Sequence, residues 1–497
     1  MNFPKQYILA DRPFTELPGW HCSQVRQRWL STAPELPLVQ IENAAGEPYG
    51  LLAGWVIFRG QLLQHGDTLQ LTPADHGLPL EFDELGGRFL LLLHCGDDVG
   101  VLTDAGGLLS PVYNTEQKIL ASTPAILKRV APQQWDESRR DALTGGKREI
   151  WYPAGATPYV GLRRLMPNHI LLLANWRAQR VFPLAAGPGR QGDTNADPAA
   201  LVARMADRVK LDVGALLDAG HTNLHLTGGY DSRMVLASCR ERLAQCHFQT
   251  ISANNADNRL DRHLAGQLAR QFNLSHRLID FEHAEQREKD AWLQRTGRCV
   301  EDHVLELCRT VRVHDCGSHE ICGVGGEAIR SCLWFRGDGA RDRISAAELL
   351  GRDGIPANDF SVGITEQWLE TLPAGMSVGN IIDLSFIEFR LAGWAGPSVY
   401  GHQVAHPTMS PFNSGECYKA ALALPESYRE ENCIAKDFIS YLWPELLALP
   451  INRASGVMKL AFLKRELKYL VPLEWREKLF AVLRAKTGLR YNTTYSR

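Results

Sequence analysis

Between residues 222 and 280 short strand-like runs alternate with longer segments of helical period, and this alternation limits the fold more than any other feature of the chain. Residues 224–227, 247–252 and 277–280 read as strands, while 231–245 and 257–272 read as helices. In the second helix Leu260, Leu264, Leu268 and Phe272 recur every four residues, which gathers them on one apolar face that packs on a sheet. Strand–helix–strand units of this length join parallel neighbours, so a parallel sheet is expected here. From residue 289 onward helical patterns dominate and predict a helical region over the end of that sheet. The first 182 residues read differently: apolar runs at 50–58, 88–94 and 170–174 are separated by Gly, Asp and Pro clusters, the spacing of a sheet-rich domain. Residues 183–198 (PLAAGPGRQGDTNADP) lose all apolar period and read as a linker between domains at 1–182 and 199–497.

Composition narrows the function classes. Hydrophobic residues at 45% and charged residues at 22% suit globular cores and exclude a disordered or fibrous chain. With 54 Lys+Arg against 56 Asp+Glu, no global charge draws the chain to nucleic acid or to an anionic membrane. The eleven cysteines form no C-x-x-C pair, which argues against a zinc ribbon or disulfide framework and for a reducing compartment. Pro4, Asp11, Pro13, Glu16 and Pro18 interrupt the stretch where a signal peptide needs an apolar run, so a cytoplasmic protein is expected. The last 40 residues hold ten Lys/Arg against three acids, a basic tail that reads either as a contact for a partner or as a solvated face.

The chemistry concentrates at Leu226-Thr227-Gly228-Gly229-Tyr230-Asp231-Ser232-Arg233, two glycines leaving a strand and then an acid and a hydroxyl opening a helix. Glycines let backbone N–H groups approach a phosphate closely, and a helix N-terminus adds partial positive charge. Thr227 and Ser232 supply hydroxyls, and Asp231 is placed to hold a Mg²⁺ that bridges phosphates. The plainer reading is a tight turn with a helix cap. Thr144-Gly145-Gly146 repeats the triplet with Lys147 and Arg148 behind it, and reads as a turn. The G-x-x-x-x-G-K-[ST] loop is absent, so a kinase-like γ-phosphate site is not expected.

LTGGYDSR resembles the S-G-G-x-D-S pyrophosphate loop of the asparagine synthetase family of ATP pyrophosphatases, which includes β-lactam synthetase and the lasso-peptide cyclases. Cys322-Gly323-Val324-Gly325-Gly326-Glu327 is similar to that family's second glycine-rich loop, and Pro411-Phe412-Asn413 to its P-F-L-D turn. Residues 84–89 (ELGGRF), 103–113 (TDAGGLLSPVY) and 163–169 (RRLMPNH) resemble pieces of the family's N-terminal domain. The resemblance implies an Ntn-hydrolase-like (class II glutamine amidotransferase-like) sheet domain, then an adenine-nucleotide α-hydrolase-like parallel-sheet domain with a helical C-terminal region. It implies ATP and Mg²⁺ as cofactors. ATP and pyrophosphate would be held by Leu226, Thr227, Gly228, Gly229, Asp231, Ser232, Gly325 and Gly326, with Ile251 and Ser252 beside adenine. Asp231 and Glu327 would be the metal ligands, and the late catalytic cation would be Lys459 or Arg453.

The chain also departs from that pattern. Asn2 stands where the family's glutaminase exposes a cysteine, and the first cysteine is Cys22, so an inactive scaffold domain is expected. Val324 stands where the family carries an acid or a tyrosine of the base dyad, and Glu327 replaces a shorter Asp. The activity implied is an ATP-dependent amide ligase that forms AMP and pyrophosphate through an acyl-adenylate captured by ammonia or a substrate amine. Intramolecular ring closure of the lactam or lasso-peptide kind is the alternative, and a degenerate nucleotide-binding regulator is the rival outside enzymes. Expected partners are small-molecule or peptide acids and amines and biosynthetic proteins, with neither nucleic acid nor membrane. Of the remaining constellations, His221/His225 and His402/His406 have metal-ligand spacing without a third ligand, and Glu388 and Arg390 beside Trp394 read as an acceptor pocket or a buried ion pair.

Overall fold

The protein is described by a computed structural model covering residues 2–453 except 75–77, 145–148, 185–196, 254, 316 and 318. Gly145 and Gly146, most of the linker, Lys459 and the basic tail therefore lie outside the described residues.

The N-terminal half builds two sheets. One has six strands in the order Leu162–Arg164, Val112–Asn114, Ile119–Ala121, Tyr7–Ala10, Arg28–Thr32, His21–Val25. The other runs Arg177–Arg180, His169–Leu172, Asp98–Thr103, Leu85–Cys95, Pro48–Phe58, Leu38–Glu42, Thr68–Gln70. Period-two alternation sorts their side chains. Tyr7 and Leu9 of the first sheet share a core with Leu51, Ala53, Trp55, Leu90 and Leu92 of the second. The residues between them point the other way: Leu52, Val56, Leu91 and Leu93 fill a second core, and Ile8 and Ala10 a third. Both faces of each central strand are thus buried, which is why RFLLLLH reads as a continuous apolar run and not as an alternating one.

The chain then crosses the linker and enters helix Pro198–Asp218, where Asp197 accepts the Ala199 N–H and Pro198 takes the first turn. A five-stranded sheet follows in the order His276–Asp280, Cys246–Ser252, Thr222–His225, His319–Ile321, Thr408–Met409, every neighbouring pair parallel. Leu260, Leu264 and Leu268 of helix Ala256–Gln271 are buried, as their spacing predicts. The expected helix over 231–245 is shorter: Tyr230–Ser238 is α-helical and a 3-10 turn over Arg240–Gln245 completes the segment. The remainder, where helical patterns dominate as expected, also contains the last two strands of the sheet, three and two residues long, too short to show a period. The molecule is thus α/β, with mixed sheets, one of them parallel, and a mainly helical C-terminal region. Among the described residues no helix is long and apolar enough to cross a membrane.

The two halves meet where three of the quoted motifs converge. Asn413 Nδ2 donates to the Gly87 carbonyl at 2.5 Å and to Asp104 Oδ1 at 2.8 Å. The buried Asp104 carboxylate also accepts the N–H groups of Phe89, Leu108 and Leu109. Gly87, at φ +103°, sits with its Cα so close to the neighbouring strand that an added Cβ would fall 2.2 Å from the Trp55 carbonyl oxygen, so glycine is required.

Candidate functional site

In chain order the parallel strands lie third, second, first, fourth, fifth, and the order reverses between Thr222–His225 and His319–Ile321. Connections leaving those two strands diverge and open a crevice at their C-terminal ends, the place where open α/β sheets bind ligands. The loops leaving them, 226–229 and 322–325, are the two glycine-rich segments singled out in the sequence.

The first loop is anchored at both ends. The Leu226 N–H donates to the Gln249 carbonyl at 2.8 Å, and Thr250 Oγ1 donates back to the Leu226 carbonyl at 2.6 Å. Thr227 and Ser232 close the turn through hydroxyls 2.9 Å apart, and the Gly229 N–H donates to Thr227 Oγ1 at 3.2 Å. The Gly228 N–H donates to Asp261 Oδ1 at 2.9 Å, and a Cβ on Gly228 would fall 2.4 Å from Leu264 Cδ1. Glycine at 228 is therefore dictated by helix packing, and its N–H, like that of Gly229, is bonded within the protein. Helix Tyr230–Ser238 starts at Gly229 without a side-chain cap, so its first-turn N–H groups are the ones that suit an anion.

The second loop comes into contact with the first. Added Cβ atoms on Gly323 and Gly326 would each come within 2.8 Å of Asp231 side-chain atoms. Gly325 has φ +91°, and Ser410 Oγ, next to the Pro411-Phe412-Asn413 turn, donates to the Val324 carbonyl. This contact brings Glu327 within electrostatic reach of Asp231, and burial first, then the Asp231 charge, pushes the Glu327 carboxyl above its usual range. Arg330, not singled out in the sequence, completes the group: its Nε and Nη2 donate to Asp231 Oδ1 and Oδ2 at 2.7 and 3.1 Å.

Asp231 and Glu327 do not make a ready metal site as they stand. Arg330 engages both Asp231 oxygens, Glu327 Oε2 accepts the Gly325 N–H at 3.2 Å, and no third acid, histidine or cysteine joins them among the described residues. What keeps a divalent cation out of the nucleotide-free pair is Arg330, which occupies both Asp231 oxygens; two carboxylates alone suffice for such a cation only when phosphates and waters complete its shell.

The remaining candidates surround the crevice at different distances. Ile251 and Ser252 end the adjacent strand, and Ser252 Oγ accepts from Arg262 at 2.8 Å. Arg233 is fully buried on the helix behind the first loop and donates to the carbonyls of Leu446, Leu449 and Pro450. It thereby seats the segment whose Asn452 N–H donates to the Gly228 carbonyl at 2.8 Å, with Arg453 exposed immediately after. Glu388 is a buried ion-pair partner: Arg180 engages both its oxygens at 2.7 and 2.8 Å, and Trp368 Nε1 donates to it. Two positions on, in a π-helical stretch, Arg390 stacks over Trp394 at 4.9 Å, with Glu149 at 3.9 Å. The histidine pairs separate: His221 stacks on His247, His225 pairs with Glu320, and His406 lies against His319.

One face of the parallel sheet is polar next to the loop. His225 Nε2 lies 3.2 Å from Glu320, whose other oxygen accepts from Gln249 at 3.0 Å. Burial alone would raise the Glu320 carboxyl, but the hydrogen bond and charge of His225 and the Gln249 donation prevail and hold it at about 2. Burial likewise opposes His225, yet its hydrogen bond to Glu320 lifts it above 6.5. A raised histidine contributes stability below its unfolded value that is lost as pH rises through the folded one. A depressed glutamate contributes above 4.5 and loses it as pH falls toward 2. The pair therefore stabilises most between about pH 4.5 and 6.5, by roughly 1 kcal/mol for so partly exposed a pair. Urea midpoints of the wild type and His225→Gln should differ most near pH 5.5 and converge by pH 9; a gap independent of pH would contradict the assignment.

Compared with known proteins, the chain matches no family model and no curated protein.

Proposed function

We propose that the crevice binds ATP and that the protein is an amide-forming ligase yielding AMP and pyrophosphate. The observation that carries this reading is the contact between two glycine-rich loops at the switch point of the parallel sheet, with the uncapped start of helix Tyr230–Ser238 and the Asp231–Arg330 pair beside it. In this reading the C-terminal half is adenine-nucleotide α-hydrolase-like and the two-sheet half Ntn-hydrolase-like. A carboxylate oxygen of the substrate attacks the α-phosphorus, the bond to the bridging α–β oxygen breaks, and pyrophosphate leaves with that oxygen. An amine nitrogen then attacks the acyl carbon, loses a proton and displaces AMP. The chain's part is to hold the reacting groups in line and to stabilise the charge on the departing pyrophosphate. Ile251 and Ser252 border adenine, and Arg390, stacked on Trp394, is the cation suited to orient the substrate acid. A divalent cation, if bound with the nucleotide's phosphates, would offset their charge beside Asp231.

Products separate this reading from its rivals. With α-labelled ATP and a panel of acids with ammonia or amines, label is expected in AMP, with one pyrophosphate for each amide formed. ADP and phosphate as the stoichiometric products would overturn it, and ATP binding without turnover on any acid would favour a nucleotide-binding regulator. Product from a substrate carrying both acid and amine, with none from separate acid and amine, would assign ring closure.

A further inference from the structure

The acid in the first turn after the first loop already has a cation, and the chain supplies it. Arg330 ends the short helix Gly326–Ile329 and reaches across the loop contact to engage both oxygens of Asp231 at 2.7 and 3.1 Å. The Asp231 and Arg330 side chains are only 19% and 13% exposed, so solvent does little to screen the pair. The fork geometry of a guanidinium matches a carboxylate edge, and a pair made through two parallel hydrogen bonds is held in orientation as well as in place. The third nitrogen, Nη1, donates to no acceptor among the described residues. Gly323 and Gly326 pack so closely against Asp231 that its side chain has no room to turn away through the loop contact.

We infer that Arg330 is the resident cation of the pyrophosphate site: it neutralises Asp231, presents the free edge of its guanidinium to the phosphates, and leaves the nucleotide-free protein without a divalent-metal site. The inference rests on the nucleotide-binding reading above. It assigns to Arg330 the charge stabilisation expected from Lys459 or Arg453, and it treats Asp231 as the holder of a guanidinium and not of a metal. A fixed cation needs no reorganisation when negative charge arrives, which is the condition under which such groups stabilise a leaving group best.

The test uses Mn²⁺ and inorganic pyrophosphate on the full chain, so it does not depend on turnover. In a spin-resonance titration the nucleotide-free wild type should leave Mn²⁺ as free as buffer does. Arg330→Met, which exposes Asp231 and Glu327 without a counter-ion, should gain a Mn²⁺ site that disappears again in Arg330→Met/Asp231→Asn. By calorimetry, Arg330→Met should bind pyrophosphate at least about tenfold more weakly than wild type, with Arg330→Lys in between. Circular dichroism and thermal melting establish that each variant is folded, and Arg330→Lys carries the pyrophosphate comparison should the methionine variant unfold. Stoichiometric Mn²⁺ binding by the wild type, lost in Asp231→Asn, would overturn the inference. So would unchanged pyrophosphate affinity in a folded Arg330 variant, or no pyrophosphate binding by the wild type. A chain that binds pyrophosphate through Arg330 yet releases ADP and phosphate would defeat the ligase reading alone.

Discussion

Asp231→Asn is expected to lower ATP–pyrophosphate exchange by about 10²–10³-fold, the loss seen when one group of a preorganised electrostatic site is removed. The amide keeps the shape of the carboxylate and can still accept one bond from Arg330, so the loops stay in contact and the fold survives. Its charge is gone, and Arg330 then has no anion to hold its fork in place beside the phosphates. Glu327 is the only other acid in the group among the described residues, and it lies on the same short helix as Arg330. The guanidinium is expected to turn toward Glu327 and away from the first loop. Far-UV circular dichroism close to wild type together with lost exchange is the predicted pair of results. Exchange at wild-type rate in the folded variant would remove Asp231 from the site, and loss of the folded spectrum would make it a structural residue.

The second large effect concerns stability. Arg233 is fully buried, has no carboxylate partner among the described residues and donates through Nη1 and Nη2 to three main-chain carbonyls of residues 446–450. Desolvation weighs against it strongly enough to pull its pKa down to about 10. Leaving a buried carbonyl without its donor costs roughly 1–3 kcal/mol, and the leucine relieves the burial of a charge, so Arg233→Leu should cost about 3 kcal/mol. The loss should be local first, because the carbonyls left unpaired belong to the segment that ends in Asn452 against Gly228. Limited proteolysis should cut near residues 443–453 in the variant before the rest of the chain, and the denaturation midpoint should fall. An unchanged midpoint and cutting pattern would mean that the packing of Trp443 and Leu446 alone holds the segment.

Local chemistry carried much of the fold into the sequence. The four-residue spacing of Leu260, Leu264 and Leu268 marks a helix because a helix repeats its face at that interval wherever it sits. Two glycines between a strand and an acidic helix start mark the turn from strand to helix for an equally local reason. The strands His319–Ile321 and Thr408–Met409 carry no such mark, since each is held by a neighbour far away in the chain and is too short to display a period. Gly228 was legible as part of a loop, but the reason for glycine there, the methyl of Leu264, belongs to another helix.

The sequence by itself thus determined the parallel-sheet units, the sheet-rich first half and the loop that carries Asp231, because each depends on contacts a few residues apart. The tertiary structure alone decided what that loop faces. The strand order places residues 226–229 against 322–326 across the switch point, and the Asp231–Arg330 pair joins residues 99 positions apart. Spacing along the chain can propose two acids for a metal. Only the packing of the two loops shows that a guanidinium reaches one of them, because a counter-ion is chosen by distance in space and by burial, and neither is written in the local pattern.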